Sequence, residues 1–215
     1  MLGIRSDVME ARWYELGTFS PINRLHSTKM SFSGKEPWNF RPEVEHAMGE
    51  ALRLRHQLLP YLYTMNYLAY KEYRPVIAPM YYDYPEKEQA YPVQDHSFVE
   101  GVSNNQYLFG TDMIVAPITS DQIASLNQGK VKAWIPEGCY HDFFTGLIYK
   151  GEKVMWMFRG INSIPVLVKA GGIIPMQKEL FGKDFLKNPE ELIIRVYGGA
   201  DGNYTHYEDD GETED

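Results

Sequence analysis

The stretch PEVEHAMGEALRLRHQLLPYLYTMNYLAYKEYR, residues 42–74, carries the longest helical pattern in the chain. Apolar side chains recur every three or four residues over most of its length, which is the spacing of one helix face. Pro60 lies inside the pattern, so we predict a kink or a break there. Pro75 cannot continue a helix, and we expect the helical segment to end at about residue 74.

Past Pro75 the sequence changes to short apolar runs that are separated by Gly, Pro and Asn. The runs are residues 76–82, 106–118, 130–135, 141–149, 164–169, 172–176, 192–197 and 204–208. Short strands with turn residues between them are typical of antiparallel β sandwiches, and ADGN at 200–203 predicts a hairpin turn between the last two runs. The first forty residues are rich in rings without clear periodicity, which favours loops. We therefore predict a helical segment followed by an all-β antiparallel sandwich.

Composition excludes several classes of partner. The chain has 215 residues, is 44% hydrophobic and carries a formal net charge of −8, with six acids in residues 208–215. The lack of a basic stripe argues against nucleic acid, and no apolar run approaches the roughly 20 residues that cross a membrane. Cys139 is the single cysteine, which favours a reducing compartment, and we expect a cytoplasmic location.

The sequence shows no recognisable metal or cofactor motif. The six histidines lack ligand spacing, HExxH is absent, and one cysteine cannot supply a zinc site. The acidic stretch YEDDGET, residues 207–213, does not fit the calcium loop of an EF-hand. We interpret it as a solvated turn, and we expect neither a metal nor a cofactor.

Polar side chains and rings gather between residues 12 and 38, in what we predict is extended chain before the helix. They are Arg12, Trp13, Arg24, His26 and Trp38. Guanidinium, imidazole and flat rings together can hold the vicinal hydroxyls of a sugar. In the alternative interpretation, Arg12 and Arg24 pair with core carboxylates and His26 is a partly buried histidine with its hydrogen bonds satisfied. Spacing alone does not decide between the two.

The motifs around these residues, taken in order, resemble glycoside hydrolase family 31. ARWYELGTFSPINRLH, residues 11–26, matches the string R-W-x-x-x-G-x-F-x-P-x-x-R-x-H that follows the seventh barrel strand in that family. Further matches follow in family order: EPW at 36–38, RHQLLPYLY at 55–63, QYLFG at 106–110, VAP at 115–117, IPEG at 135–138, AGGIIP at 170–175 and YEDDG at 207–211. Each motif alone is weak, whereas the ordered set covers nearly the whole chain.

The resemblance implies a fold and a division of the chain. Residues 1–74 would be the C-terminal part of a (β/α)8 catalytic barrel, and residues 75–176 the proximal C-terminal β-sandwich domain. Residues 177–215 would begin a distal C-terminal β domain. A complete barrel takes roughly 250 residues, so we expect the chain to be a piece of a longer protein, with Met1 an internal methionine.

The resemblance also implies chemistry. Members of the family look like retaining α-glycosidases, in which one aspartate attacks the anomeric carbon and a second acid protonates the leaving oxygen. Both acids lie upstream of the matching string in the family, so we assign no catalytic residue to this chain. His26 is the one substrate-binding residue that carries over, because the family's histidine at this position hydrogen-bonds the sugar in the −1 subsite. Arg12 and Arg24 are expected to shape the loop.

We therefore expect a segment of a retaining α-glycosidase that hydrolyses α-linked glucosides or xylosides and is inactive alone. Its partners would be an oligosaccharide or glycoside substrate and the upstream barrel segment of the same protein. An incomplete barrel exposes apolar surface, so we also expect self-association into a homo-oligomer. Two alternatives remain: a non-catalytic carbohydrate-binding sandwich, and a structural module that braces the barrel.

Overall fold

A computed structural model describes residues 6–24, 26, 34–91, 105–178 and 187–212. Within these ranges the first third of the chain is helical and the rest is built from short strands. The helices are α1 (Asp7–Thr18), α2 (Pro42–Gln57) and α3 (Leu59–Glu72), with 3-10 turns at Pro37–Asn39, Met80–Tyr82 and Glu88–Ala90. None of the helices in the described residues has the length and apolarity that a membrane span requires.

The strands of the described part are short and follow one another closely. They are β1 (Ile77–Pro79), β2 (Tyr107–Phe109), β3 (Met113–Val115), β4 (Gly129–Ile135), β5 (Cys139–Asp142), β6 (Ile148–Lys150), β7 (Lys153–Arg159), β8 (Val166–Lys169), β9 (Ile173–Gln177) and β10 (Leu192–Val196). The main sheet has the order β1-β2-β3-β8-β5-β6, and β4–β7 and β9–β10 form two further ribbons. Each of these pairings is antiparallel, which confirms the prediction of antiparallel β structure after Pro75.

The predicted break in the long helix is confirmed. α2 ends at Gln57 and α3 begins at Leu59, with Leu58 between them. Pro60 lies in the first turn of α3, where its missing N–H has no helical partner to lose. Tyr73 then adopts a left-handed conformation with φ 58° and ends the helix.

The prediction of extended chain between residues 12 and 38 is wrong for its first part, because residues 7–18 form α1. Ser6 caps the helix by accepting a hydrogen bond from the backbone N–H of Met9 at 3.3 Å. Buried side chains recur at helical spacing along one side of the helix: Ala11, Tyr14, Glu15 and Thr18. Two of these four are polar, so an apolar pattern alone could not reveal the helix.

Three differences from the predicted strands have local causes. Residues 106–118 form two strands, because Gly110 turns the chain with φ +65°. β7 was missed because its exposed face also carries large apolar residues, among them Trp156 and Phe158. Residues 204–208 form no strand, and Tyr204 instead stacks on Tyr61 of α3 with the ring centroids 6.2 Å apart. The turn predicted at 200–203 therefore does not join two strands.

The core positions the segment that follows α1. A large cluster of buried residues joins α3 to the sheets, and a smaller one lies between α1 and α2. Phe19, directly after α1, belongs to the large cluster and is 1% exposed. Its ring meets the rings of Phe109 and Phe143 edge-on, with centroids 5.7 and 6.1 Å away. The chain that leads toward His26 therefore starts from a fixed point in the core.

Candidate functional site

Residues 18–21 are held in place by side chains from distant parts of the chain. Arg55 on α2 is half-buried. Its guanidinium donates hydrogen bonds to the carbonyl oxygens of Thr18 at 3.2 Å, Pro21 at 2.8 Å and Ser20. Tyr107 donates to the carbonyl of Phe19 at 2.8 Å. Burial lowers the pKa of Arg55, which nevertheless stays a cation at neutral pH. Arg55 therefore sets the path of the backbone just before His26.

A close approach between α1 and the following segment depends on Gly17. A Cβ at this position would lie 2.7 Å from Oδ1 of Asn23, a distance that side-chain contacts do not tolerate. The glycine therefore leaves room for the amide of Asn23 against the helix. The φ angle of Gly17 is not in the left-handed region. Packing, and not backbone conformation, therefore explains why a glycine occupies this position.

A cavity of about 440 Å³ opens beside this segment. Its lining includes His26, Arg24, Asn23 and Trp13. Trp13 is 61% exposed, and His26 and Arg24 are also exposed. The structure therefore brings together an imidazole, a guanidinium, an amide and a flat ring, which are groups that can hold a polyhydroxylated ligand.

Three other lining residues, Glu10, Tyr14 and Lys35, form a small polar network. Lys35 forms an ion pair with Glu10 at 3.2 Å, and the hydroxyl of Tyr14 donates to the carbonyl of Lys35 at 2.5 Å. Burial, with Glu10 and Glu36 as smaller causes, raises the pKa of Tyr14 to about 12, so this phenol stays a hydrogen-bond donor. Among the described residues that line the cavity, Glu10 is the one carboxylate, and retaining hydrolysis needs two.

Arg12 does not belong to this cavity. It is 3% exposed, whereas its neighbour Trp13 is 61% exposed, and it does not line the cavity. Its guanidinium pairs with Glu15 at 2.9 Å and donates to the carbonyls of Ser163 at 2.7 Å and Arg159 at 3.2 Å. The alternative in which Arg12 pairs with a core carboxylate is thus confirmed, and Arg12 joins the helical segment to the loop after β7.

Of the ring-and-polar cluster predicted from the sequence, the structure brings together Trp13, Arg24 and His26. Trp38 lies on a short 3-10 turn, is 72% exposed and does not line the cavity. The role of His26 as a sugar contact stays a prediction. Sequence reasoning missed the anchoring role of Arg55, although Arg55 begins a stretch that matches the family. The signal that could have found it is its place in that ordered motif.

The part of the chain that the structure describes contains no cluster of three or more His, Cys, Asp or Glu side chains arranged to bind a metal ion. Acidic residues near the C-terminus take part in hydrogen bonds with other groups of the chain. Asp209 accepts from the hydroxyl of Tyr63 and from the backbone N–H of Gly211.

Comparison with known proteins gives consistent matches along the chain. The glycosyl hydrolases family 31 TIM-barrel domain matches residues 5–65, and the glycosyl hydrolase family 31 C-terminal domain matches residues 73–174. The α-xylosidase of Saccharolobus solfataricus is 30% identical over 207 residues, which are 94% of this chain and 25% of that protein. The α-glucosidase 2 of Bacillus thermoamyloliquefaciens is 27% identical over 94% of this chain and 24% of its own length.

Solved structures agree with these sequence matches. A family 31 dextranase of Flavobacterium johnsoniae, solved with glucose, superposes with a TM-score of 0.79 at 28% identity, covering 95% of this chain and 24% of that one. An α-xylosidase of Xanthomonas citri superposes with a TM-score of 0.78 at 31% identity, covering 95% and 21%. The chain spans about a quarter of the length of these relatives. The resemblance inferred from the ordered motifs is confirmed, and the chain belongs to glycoside hydrolase family 31.

Proposed function

We propose that this chain contributes one wall of the sugar-binding subsite of a retaining α-glycosidase that acts on α-linked glucosides or xylosides. The observation that carries the proposal is the exposed His26 in a cavity of about 440 Å³ that also holds Trp13, Asn23 and Arg24. The relatives named above are α-xylosidases, an α-glucosidase and a dextranase, and the names of the first three describe enzymes that act on α-linked sugars.

In this proposal His26 binds and orients the sugar. Its imidazole donates a hydrogen bond to a hydroxyl of the bound ring, and the apolar face of Trp13 packs against the C–H face of the sugar. The anchoring of residues 18–21 by Arg55 limits backbone movement next to the subsite, so that less ordering remains to be done when the sugar binds.

The nucleophile and the general acid are proposed to come from barrel residues outside these 215. Within the cavity, Glu10 is held by Lys35, and the described lining offers no second carboxylate to work with it. We propose accordingly that residues 1–74 complete a barrel whose other strands carry both acids, and that residues 75–176 and 177–215 form the β domains behind it.

The test of the subsite uses methyl α-D-glucoside and methyl α-D-xyloside as probes. Titration of the chain, followed through the imidazole carbon-bound proton signals in NMR spectra, is expected to shift the signal of His26 in a saturable way. His26→Ala should weaken binding about tenfold, which corresponds to the loss of one good hydrogen bond. His46→Ala is the matched control, because His46 is exposed on α2 and lies outside this cavity.

Two results would overturn the proposal. The first is binding of both glycosides that His26→Ala leaves unchanged, which would favour a carbohydrate-binding or structural role of the β domain. The second is hydrolysis of an aryl α-glucoside by the purified chain at a rate above that of a mock purification, because turnover would place both carboxylates within these 215 residues.

A further inference from the structure

A second cavity, of about 490 Å³, lies between α3 and the C-terminal segment 206–211. Its size falls within the range of roughly 300–1,000 Å³ that is usual for small-molecule sites. Leu59 and Leu62 of α3 supply aliphatic wall, and Tyr63 and Tyr207 supply rings. No described residue lines both this cavity and the one beside His26.

The two rings are held rigidly before any ligand binds. Tyr207 stacks on Tyr67 with the ring centroids 3.7 Å apart and the planes 7° from parallel. The Tyr63 ring lies 5.9 Å from the Tyr207 ring, tilted by 19°, and its hydroxyl donates to the carboxylate of Asp209 at 2.7 Å. Tyr207 is further tied to α3 by a hydrogen bond from its backbone N–H to Thr64 Oγ1 at 3.1 Å. Rings that are already ordered lose little conformational entropy when a ligand stacks on them.

A buried amide in the same cavity lacks a partner among the described residues. Gln177, the last residue of β9, lines the cavity and is 5% exposed. Its Nε2 makes no hydrogen bond within the part of the chain that the structure describes. A buried donor without an acceptor costs about 1–3 kcal/mol, and a ligand oxygen that reached this amide would remove that cost.

The charges around the cavity select the class of ligand. Arg55 and Lys187 are the cations of the lining, and Glu208, Asp209 and Asp210 are its carboxylates. Most of this charge is already engaged. Arg55 binds backbone carbonyls, Glu208 pairs with His206 at 2.9 Å, Asp209 accepts from Tyr63, and Asp210 accepts from the backbone N–H of Glu212. A phosphate would face the three carboxylates and a polyamine would face the two cations, so a neutral ligand fits best. Hydroxyl groups both donate and accept, and can therefore use both sets of polar groups.

We propose that this cavity is a second saccharide-binding site, in which a neutral pyranose stacks on Tyr207 and Tyr63 and a sugar oxygen accepts a hydrogen bond from the amide of Gln177. The site binds sugar without cleaving it. Ser20 and Ile22 line the cavity beside His26, and Pro21 lines this second cavity. The second site would therefore hold a substrate or product chain across residues 20–22 from His26.

The test is a titration of the whole chain with maltose, followed by the side-chain amide signal of Gln177 and by isothermal calorimetry. We expect saturable binding with a dissociation constant in the range of about 1 mM. Tyr207→Ala should weaken binding at this site about tenfold, and Tyr207→Phe, which keeps the ring, should change it less than about threefold. Gln177→Leu keeps the volume and removes the donor. It serves if Tyr207→Ala does not fold, and calorimetry, which does not need the Gln177 signal, should then show about tenfold weaker binding of maltose.

Other probes distinguish the alternatives. His26→Ala should leave the response of the Gln177 signal intact. If the response disappears in His26→Ala, maltose binds at the first cavity alone. That result would overturn the second site and leave the proposal for the first cavity unchanged. Sorbitol, which has hydroxyls but no pyranose ring, should bind at least about tenfold more weakly than maltose. Equal binding of sorbitol, or tighter binding of inorganic phosphate or spermidine at Gln177, would refute the proposed ligand class.

Discussion

Arg12→Met tests whether the buried Arg12, which pairs with Glu15 on α1, holds the helical segment against the β domain. The two side chains are 2% and 5% exposed and lie 2.9 Å apart. Arg12 also supplies the donors for the carbonyls of Ser163 and Arg159. Methionine has a similar length and no charge, so the substitution removes these interactions while it keeps most of the packing.

The size of the effect depends on pH. Burial raises the pKa of Glu15 from 4.5 to about 7, against the opposing influence of Arg12. Because the folded pKa exceeds the unfolded one, the protonated carboxyl stabilises the fold, and this contribution is lost as pH rises from about 4.5 through 7. In Arg12→Met the opposing cation is gone, so the pKa of Glu15 rises further and the loss continues to higher pH.

The hydrogen bonds of Arg12 and the ionisation of Glu15 together give an expected loss of unfolding free energy at low and at high pH. At pH 5.5 Glu15 is mostly protonated in both proteins, and the variant loses mainly the hydrogen bonds to two carbonyls, about 2 kcal/mol. At pH 8.5 the variant must also bury an unpaired carboxylate or keep it protonated, which brings the total to about 4 kcal/mol. The measurement is urea unfolding at both pH values, followed by the fluorescence of the buried Trp134.

Arg53→Met is the matched control. Arg53 and Glu50 also form an i, i+3 pair, 2.8 Å apart, but their side chains are 44% and 52% exposed. We expect a change below about 1 kcal/mol at either pH. A cost of Arg12→Met that is the same at both pH values, or that is no larger than the cost of Arg53→Met, would show that the reasoning about burial is wrong.

Three further predictions concern stability and assembly. Asp142→Asn should destabilise the fold by about 3 kcal/mol in urea unfolding, since the fully buried carboxylate pairs with Arg159 and accepts from two backbone N–H groups. Gly110→Ala should cost more than about 3 kcal/mol, because φ is +65° and the new Cβ would lie 2.1 Å from the hydroxyl of Tyr61. The chain should self-associate in light scattering, and Trp38→Lys, at a side chain that is 72% exposed, should reduce this association.

Each of these predictions has a control and a contrary outcome. Asp83→Asn breaks a pair with Arg74 that is about one-third exposed, and should cost under about 1 kcal/mol; an equal cost for Asp142→Asn would refute the first prediction. Gly146→Ala has φ +72° but meets nothing within 4 Å, so a cost equal to that of Gly110→Ala would leave backbone strain as the whole effect. Leu126→Lys, at a side chain that is 55% exposed, should not change association, and a monodisperse monomer at high concentration would contradict the third.

The sequence by itself determined the elements whose signals are local. The break at Pro60 and the antiparallel character after Pro75 follow from proline geometry and from short apolar runs between turn residues. Membership of family 31 followed from the order of the motifs. α1 escaped notice because its buried side includes Glu15 and Thr18, so an apolar pattern could not show it.

Only the tertiary structure decided which side chains share a site. Arg12 and Trp13 are neighbours in sequence, yet they are 3% and 61% exposed, because successive residues on a helix point about 100° apart. Arg55 anchors carbonyls 34 to 37 positions earlier in the chain. The cavity between Tyr207 and α3 likewise joins distant parts of the chain, since Tyr63 and Tyr207 are 144 residues apart in sequence. Periodicity records how each residue relates to its near neighbours, whereas such contacts depend on how whole elements pack, which no short pattern records.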